Sequence, residues 1–173
     1  MKLRLLYIIL LSSFTGKAQF PEDWIGSYSG TMYLSSNASV YDSIDVQLEL
    51  QELIIKKRWS YKMTYNSARF GEMIKDYEIV LDSNGYLMDE QNGLYIEMAY
   101  MKNVFYEFFE VGEMLYSCTM RRIENGILFE IFGASSTSSR TSNTEADEQG
   151  IKYTVVNYKP QFAQTVLLLP SQK

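Results

Sequence analysis

Carboxylates are the side chains in this sequence best suited to chemistry. Asp89 with Glu90, Glu97, Glu107 and Glu130 lie in or beside apolar runs, and two acids flanking a substrate can act as general acid and base. Asp89 and Glu90 fall beside an expected turn, where acids are normally just solvated. Glu107 is different. The run Val104-Phe105-Tyr106-Glu107-Phe108-Phe109-Glu110-Val111 is apolar on both faces, so Glu107 shares its face with Phe105, Phe109 and Val111 whichever way the strand points. On the next run Ser117, Thr119 and Arg121 alternate with Tyr116, Cys118 and Met120. If Glu107 and Arg121 both face inward, they form a buried charged pair or meet the polar head of a ligand. A buried charge needs such a partner.

Other chemistries lack their parts. The chain contains no histidine, so neither a Ser-His-Asp nor a Cys-His device can be assembled. Zinc sites draw on His and Cys, and Cys118 is the one cysteine. No metal site and no cofactor are expected, and no Gly-rich phosphate-binding motif is present. Cys118 cannot form an intrachain disulfide and sits in an apolar pattern, where it reads as a small buried hydrophobe.

The aromatic load points to a pocket. Tyr occurs 14 times, Phe 9 and Trp 2. Trp59, Tyr61 and Tyr65 share one face of a strand, and Tyr28, Tyr77 and Tyr106 are expected to line the same interior. Rings with polar tips suit a greasy pocket with a few hydrogen bonds. The competing reading is a solid core, since a small barrel can fill itself with side chains.

Strands must position these groups. Ile44, Val46, Leu48 and Leu50 alternate with Asp45, Gln47, Glu49 and Gln51, the period-two signature of a half-buried strand. Trp59, Tyr61, Met63 and Tyr65 repeat it, as do Tyr77, Ile79 and Leu81. Three Asn-Gly pairs, at 84–85, 92–93 and 125–126, supply hairpin turns. Strands are expected near 26–34, 43–51, 58–65, 74–81, 94–100, 104–111, 114–123, 126–132 and 151–159, with 165–169 as a possible closing strand. Sequential hairpins favour an all-β, antiparallel up-and-down barrel of about 8–10 strands, because closure removes exposed edges. The Ser/Thr-rich stretch 135–150 is too polar to bury and is expected to form a mobile loop between two strands.

The N-terminus carries an address. Lys2 and Arg4 precede an unbroken apolar run, 5–11, and Gly16-Lys17-Ala18 offers small residues for cleavage. This is the order of a secretory signal peptide, and the run is too short to span a bilayer, which takes ~20 residues. Residues 1–18 are thus expected to be a signal peptide, removed near Ala18, and 19–173 one secreted or periplasmic domain. No cysteine lies in the residues just after the run, so no lipid anchor is expected. Removing Lys2, Arg4 and Lys17 takes three of the 16 basic residues and none of the 21 acidic ones, leaving a net charge of −8. Such a surface repels phosphate backbones, which argues against nucleic acid as a partner.

The stretch Trp24-Ile25-Gly26-Ser27-Tyr28-Ser29-Gly30 resembles the start of the first strand in lipocalin-like (calycin) barrels, where a Gly-x-Trp element plugs the barrel floor; here Gly26-x-Tyr28 takes that place and Trp24 precedes it. The resemblance implies a cup that holds a small apolar or amphipathic ligand. Two departures stand beside it. Many lipocalins set an arginine near the last strand against the floor aromatic, and this chain has none after Arg140. Related haem-binding barrels use a histidine that is absent here, so haem is not expected. The leading reading is an exported, non-enzymatic binding protein with Trp24, Tyr28, Trp59, Tyr61, Tyr65, Tyr77, Tyr106, Glu107 and Arg121 as its candidate ligand-binding residues. The alternative is a structural or protein-interaction module with a solid core and functional loops. A carboxylate enzyme is a third reading, and the oligomeric state is left open.

Overall fold

The computed structural model describes residues 22–36 and 39–171; the expected signal segment lies outside them. A single 3₁₀ turn, Glu22–Trp24, leads into strand β1, Gly26–Ser36. The chain then folds as β2 (Ser39–Ile54), β3 (Arg58–Ser67), β4 (Gly71–Leu81), β5 (Tyr86–Asp89), β6 (Tyr95–Met101), β7 (Val104–Val111), β8 (Met114–Ile123) and β9 (Gly126–Ser135). A short hairpin, β10 (Arg140–Asn143) with β11 (Thr154–Asn157), precedes the final strand β12 (Pro160–Pro170). Ten strands close into one antiparallel barrel in the order β1-β12-β9-β8-β7-β6-β5-β4-β3-β2, with β1 also paired to β2.

The alternation read in the sequence sets the wall. Val46, Leu48 and Leu50 of β2 are buried while Asp45 and Gln47 face out. Trp59, Tyr61 and Met63 do the same on β3. β2 and β3 pair so that Leu48 faces Met63 and Leu50 faces Tyr61. All three Asn-Gly pairs fall at connections between strands. At the first, the Asp82 carboxylate accepts from the Asn84 and Gly85 amides at 2.6 and 3.1 Å. Three hairpin links among the described residues are two residues long, 102–103, 112–113 and 124–125; in the first, Lys102 and Asn103, at φ 48° and 63°, adopt the left-handed backbone such turns require.

Three expectations are corrected. β5 was not foreseen; at four residues, between two Asn-Gly turns, it is too short to show a period. The segment expected near 151–159 is not a barrel strand. Its core, β11, pairs with β10 in a separate two-stranded hairpin whose residues are all exposed. The stretch 135–150 is therefore no simple loop, since it carries β10. The tail strand does close the ring, pairing with both β1 and β9.

The closed ring is weakest along one seam. β7 pairs with β8 over its whole length, from Val104 to Val111. Its pairing with β6 runs only through Ala99↔Tyr106, Tyr100↔Phe105 and Met101↔Val104. Above that point the two strands part, leaving a cleft of about 490 Å³ bordered by Glu97, Met98, Tyr106, Glu107, Phe108 and Ser117.

Candidate functional site

The two ends of the barrel interior differ. One end is packed solid. Trp24, 0% exposed, lies edge-on to Phe105 at 5.4 Å and to Tyr100 at 6.3 Å. Tyr86 meets Phe105 edge-on at 5.2 Å and leans on Trp59 at 6.2 Å. Such edge-to-face contacts are the preferred aromatic geometry. The Tyr28 hydroxyl donates to the Trp24 carbonyl at 3.0 Å, tying the 3₁₀ turn to β1. Arg122 of β8 covers the Tyr28 ring at 5.9 Å, donates to the Gly126 carbonyl at 2.7 Å and pairs with Asp23 at 3.6 Å. Burial raises the Tyr28 hydroxyl pKa, an effect that Arg122 opposes and Asp23 reinforces.

Above this floor lies a cavity of about 170 Å³. Tyr61 and Tyr65 of β3, Tyr77 of β4, and Phe105, Phe109 and Phe129 give it aromatic walls, and Met88, Ile96, Met120 and Ile131 fill the spaces between. Lys75 and Glu90 border it nearer the strand ends opposite the floor. Glu107 and Cys118 stand across from each other on β7 and β8, and the thiol hydrogen-bonds to the carboxylate. Glu107 also borders the β6–β7 cleft.

Burial decides the protonation of these groups. It pushes the Glu107 carboxyl from its ordinary 4.5 up to about 7, partly offset by the Cys118 hydrogen bond and reinforced by Glu90. Cys118 is lifted by burial and further by the neighbouring carboxylate, so it stays a thiol. Burial likewise lifts Tyr61 and Tyr65, whose hydroxyls remain neutral donors. At neutral pH the cavity offers neutral hydroxyls, a weak thiol donor and one carboxyl poised to gain or lose its proton.

The raised Glu107 carboxyl has a consequence for stability. Between pH 4.5 and about 7 the folded state holds a proton that the unfolded chain releases, so stability falls as pH rises through that window and stays lowered above it. A fully buried group shifted this far would lower stability by ~3 kcal/mol; the partial exposure of Glu107 reduces the expectation to about 1–3 kcal/mol. Glu107→Gln is therefore expected to melt with the parent at pH 5 and several degrees above it at pH 8 in thermal unfolding. Equal melting temperatures at pH 8 would show that the carboxyl is well solvated.

The sequence-predicted residues separate into three places. Tyr61, Tyr65, Tyr77 and Glu107 line the cavity. Trp24, Tyr28 and Trp59 belong to the packed interior. Tyr106 and Arg121 are on the outside, Tyr106 being 36% exposed. Their expected inward orientation is corrected by strand periodicity: Tyr106 and Glu107 are neighbours on one strand, so only one can face in. Arg121 is likewise out of phase with the buried Cys118 and Met120, and a Glu107–Arg121 pair does not form; Arg121 stands opposite Val104 instead. Arg122 was missed, although two-residue spacing from Met120 was the signal for its inward face. An arginine does meet the floor aromatic, although it comes from β8 and not from near the last strand. Of the other acids, Glu97 and Glu130 are exposed and Asp89 accepts from the Gln91 amide in a turn, at 2.8 Å. No group of three or more His, Cys, Asp or Glu among the described residues is placed to hold a metal ion. Comparison of the chain with protein-family models, curated proteins and solved structures finds no match.

Proposed function

We propose that this chain is an exported, non-enzymatic binding protein, lipocalin-like in build, that holds a small apolar or amphipathic molecule inside its barrel. The observation that carries the reading is the aromatic-walled cavity above a packed floor. A dry cavity of ~150 Å³ is enough to take up benzene, so a space of about 170 Å³ suits a guest built around one ring. Two features support the lipocalin-like reading: Trp24 and Tyr28 sit together in the floor, and an arginine lies over Tyr28. Export rests on the charge, apolar run and cleavage residues at the N-terminus.

Titration with p-cresol, followed in backbone amide spectra, tests the reading. Saturable shifts are expected around Tyr61, Cys118 and Phe129, and they should vanish in Cys118→Phe, which fills the space from its wall. A lack of saturable shifts in the parent, or shifts that survive the filled variant, would refute an internal site. A second reading, a protein-interaction module, is favoured by the β10–β11 hairpin, which leaves Val155 at 51% and Tyr158 just beyond it at 44% exposure. Partner binding that is lost when Val155 and Tyr158 are changed to serine would support it.

A further inference from the structure

Among the described residues, Glu107 has no cationic partner. The ion pairs among the described residues join Arg58 to Glu78 and Arg122 to Asp23, and Lys75 leans on the Tyr77 ring at 5.7 Å instead. The thiol of Cys118, a weak donor, is the hydrogen-bond partner that the surroundings supply. An ionised carboxylate offers about four acceptor positions, so most of its capacity remains for a guest. The faces around it are Tyr61, Tyr65, Tyr77, Phe105 and Phe109, and the negative face of an aromatic ring attracts a cation. Charge at the site points the same way: two acids, Glu107 and Glu90, face one base, Lys75. An anionic guest meets net repulsion there, and a neutral one leaves the carboxylate's acceptors poorly used.

We infer that the guest is a small aromatic amine, its ring held between the tyrosine and phenylalanine walls and its protonated amino group donating to the Glu107 carboxylate. This rests on the internal-site reading above and names the class of molecule the site selects. Groups facing Glu107 from the surrounding elements are Tyr61 and Tyr65 on β3, Lys75 and Tyr77 on β4, Glu90 after β5 and Cys118 on β8. Phe129 and Ile131 of β9 and Ile96 of β6 bring no titrating group to the cavity, and Glu97 of β6 borders the outer cleft that Glu107 shares. Burial lifts Tyr61, Tyr65 and Cys118 away from neutrality and brings Glu107 to about 7. The carboxylate that an ammonium needs is thus formed as pH rises through neutrality.

Calorimetric titration with three ring compounds of near-equal size provides the test: benzylamine, benzyl alcohol and benzoate, against the parent and Glu107→Gln. Benzylamine affinity is expected to rise about tenfold between pH 6 and 8, following the ionised fraction of a group titrating near 7. Benzyl alcohol should stay constant within about twofold, and benzoate should bind weakest at the higher pH. In Glu107→Gln, benzylamine should lose both its advantage and its pH dependence, while benzyl alcohol still binds and shows that the cavity is intact. Benzylamine binding no tighter than benzyl alcohol at pH 8, or unaffected by the substitution, would overturn the amine assignment and leave the internal site standing. Failure of all three compounds to bind would overturn the internal site, and the amine assignment with it.

Discussion

Trp24→Ala is expected to lower the stability of the barrel by about 3–5 kcal/mol, the range for removing a fully buried large aromatic side chain. The indole is 0% exposed and touches the rings of Phe105 and Tyr100. Those rings sit on strands whose connection, Lys102-Asn103, is a tight two-residue turn, so they have little freedom to close over the void. Alanine keeps the backbone carbonyl that accepts the Tyr28 hydroxyl, so the loss isolates the plug itself. Trp24→Phe should retain most of the contact and lose much less. Urea unfolding checks both: the midpoint should fall steeply for alanine, with an unchanged slope. A loss below about 1 kcal/mol for alanine would mean that the floor holds without the indole.

Gly30→Ala should be the second large loss, about 1–3 kcal/mol, although it adds one methyl group. Glycine inside a strand is ordinarily a weak point, and alanine there would normally gain a few tenths to 1 kcal/mol. Here the sign reverses. A Cβ on Gly30 would overlap the Leu167 carbonyl oxygen of β12 and press on the Val166 side chain. Backbone cannot rotate aside as a flexible side chain can, and β12 is held on its other edge by β9. The β1–β12 register shows how close the approach is: pairs are formed at Ser29↔Leu169 and again at Tyr33↔Thr165, either side of the contact. A Cβ added at Gly126 of β9 would likewise overlap the Leu168 carbonyl oxygen of β12. Chemical denaturation of Gly30→Ala that matches or exceeds the parent would show that β12 can shift to make room.

Much of this barrel was legible before any coordinates. Where one face is wet, as along Ile44 to Gln51, alternation named the buried residues one by one. Where it failed, the cause was local. β7 is apolar on both faces, so the sequence pattern carried no orientation, and Tyr106 and Glu107 could both be imagined inside. Arg121 and Arg122 are adjacent and chemically identical, so only phase separates the outward one from the floor arginine. Lys75 gave no signal, and Glu90, though a candidate acid, reads as a solvated turn residue; the pairing of β4 with β5 brings both to one cavity. The split between β6 and β7 was not readable either, since both strands look regular and the parting depends on how far each continues past its turn.

The ring is shut by its most distant parts. Ser29 and Ser171, 142 positions apart, meet at 3.4 Å where β1 lies beside β12. Synthesis proceeds from the N-terminus, so β1 keeps one bare edge until residues 160–170 have been made. No length of chain that stops before them has a complete wall. Folding is therefore expected to be slow compared with a protein built only from neighbouring contacts, because the β1–β12 pairing closes a loop of nearly the whole described chain.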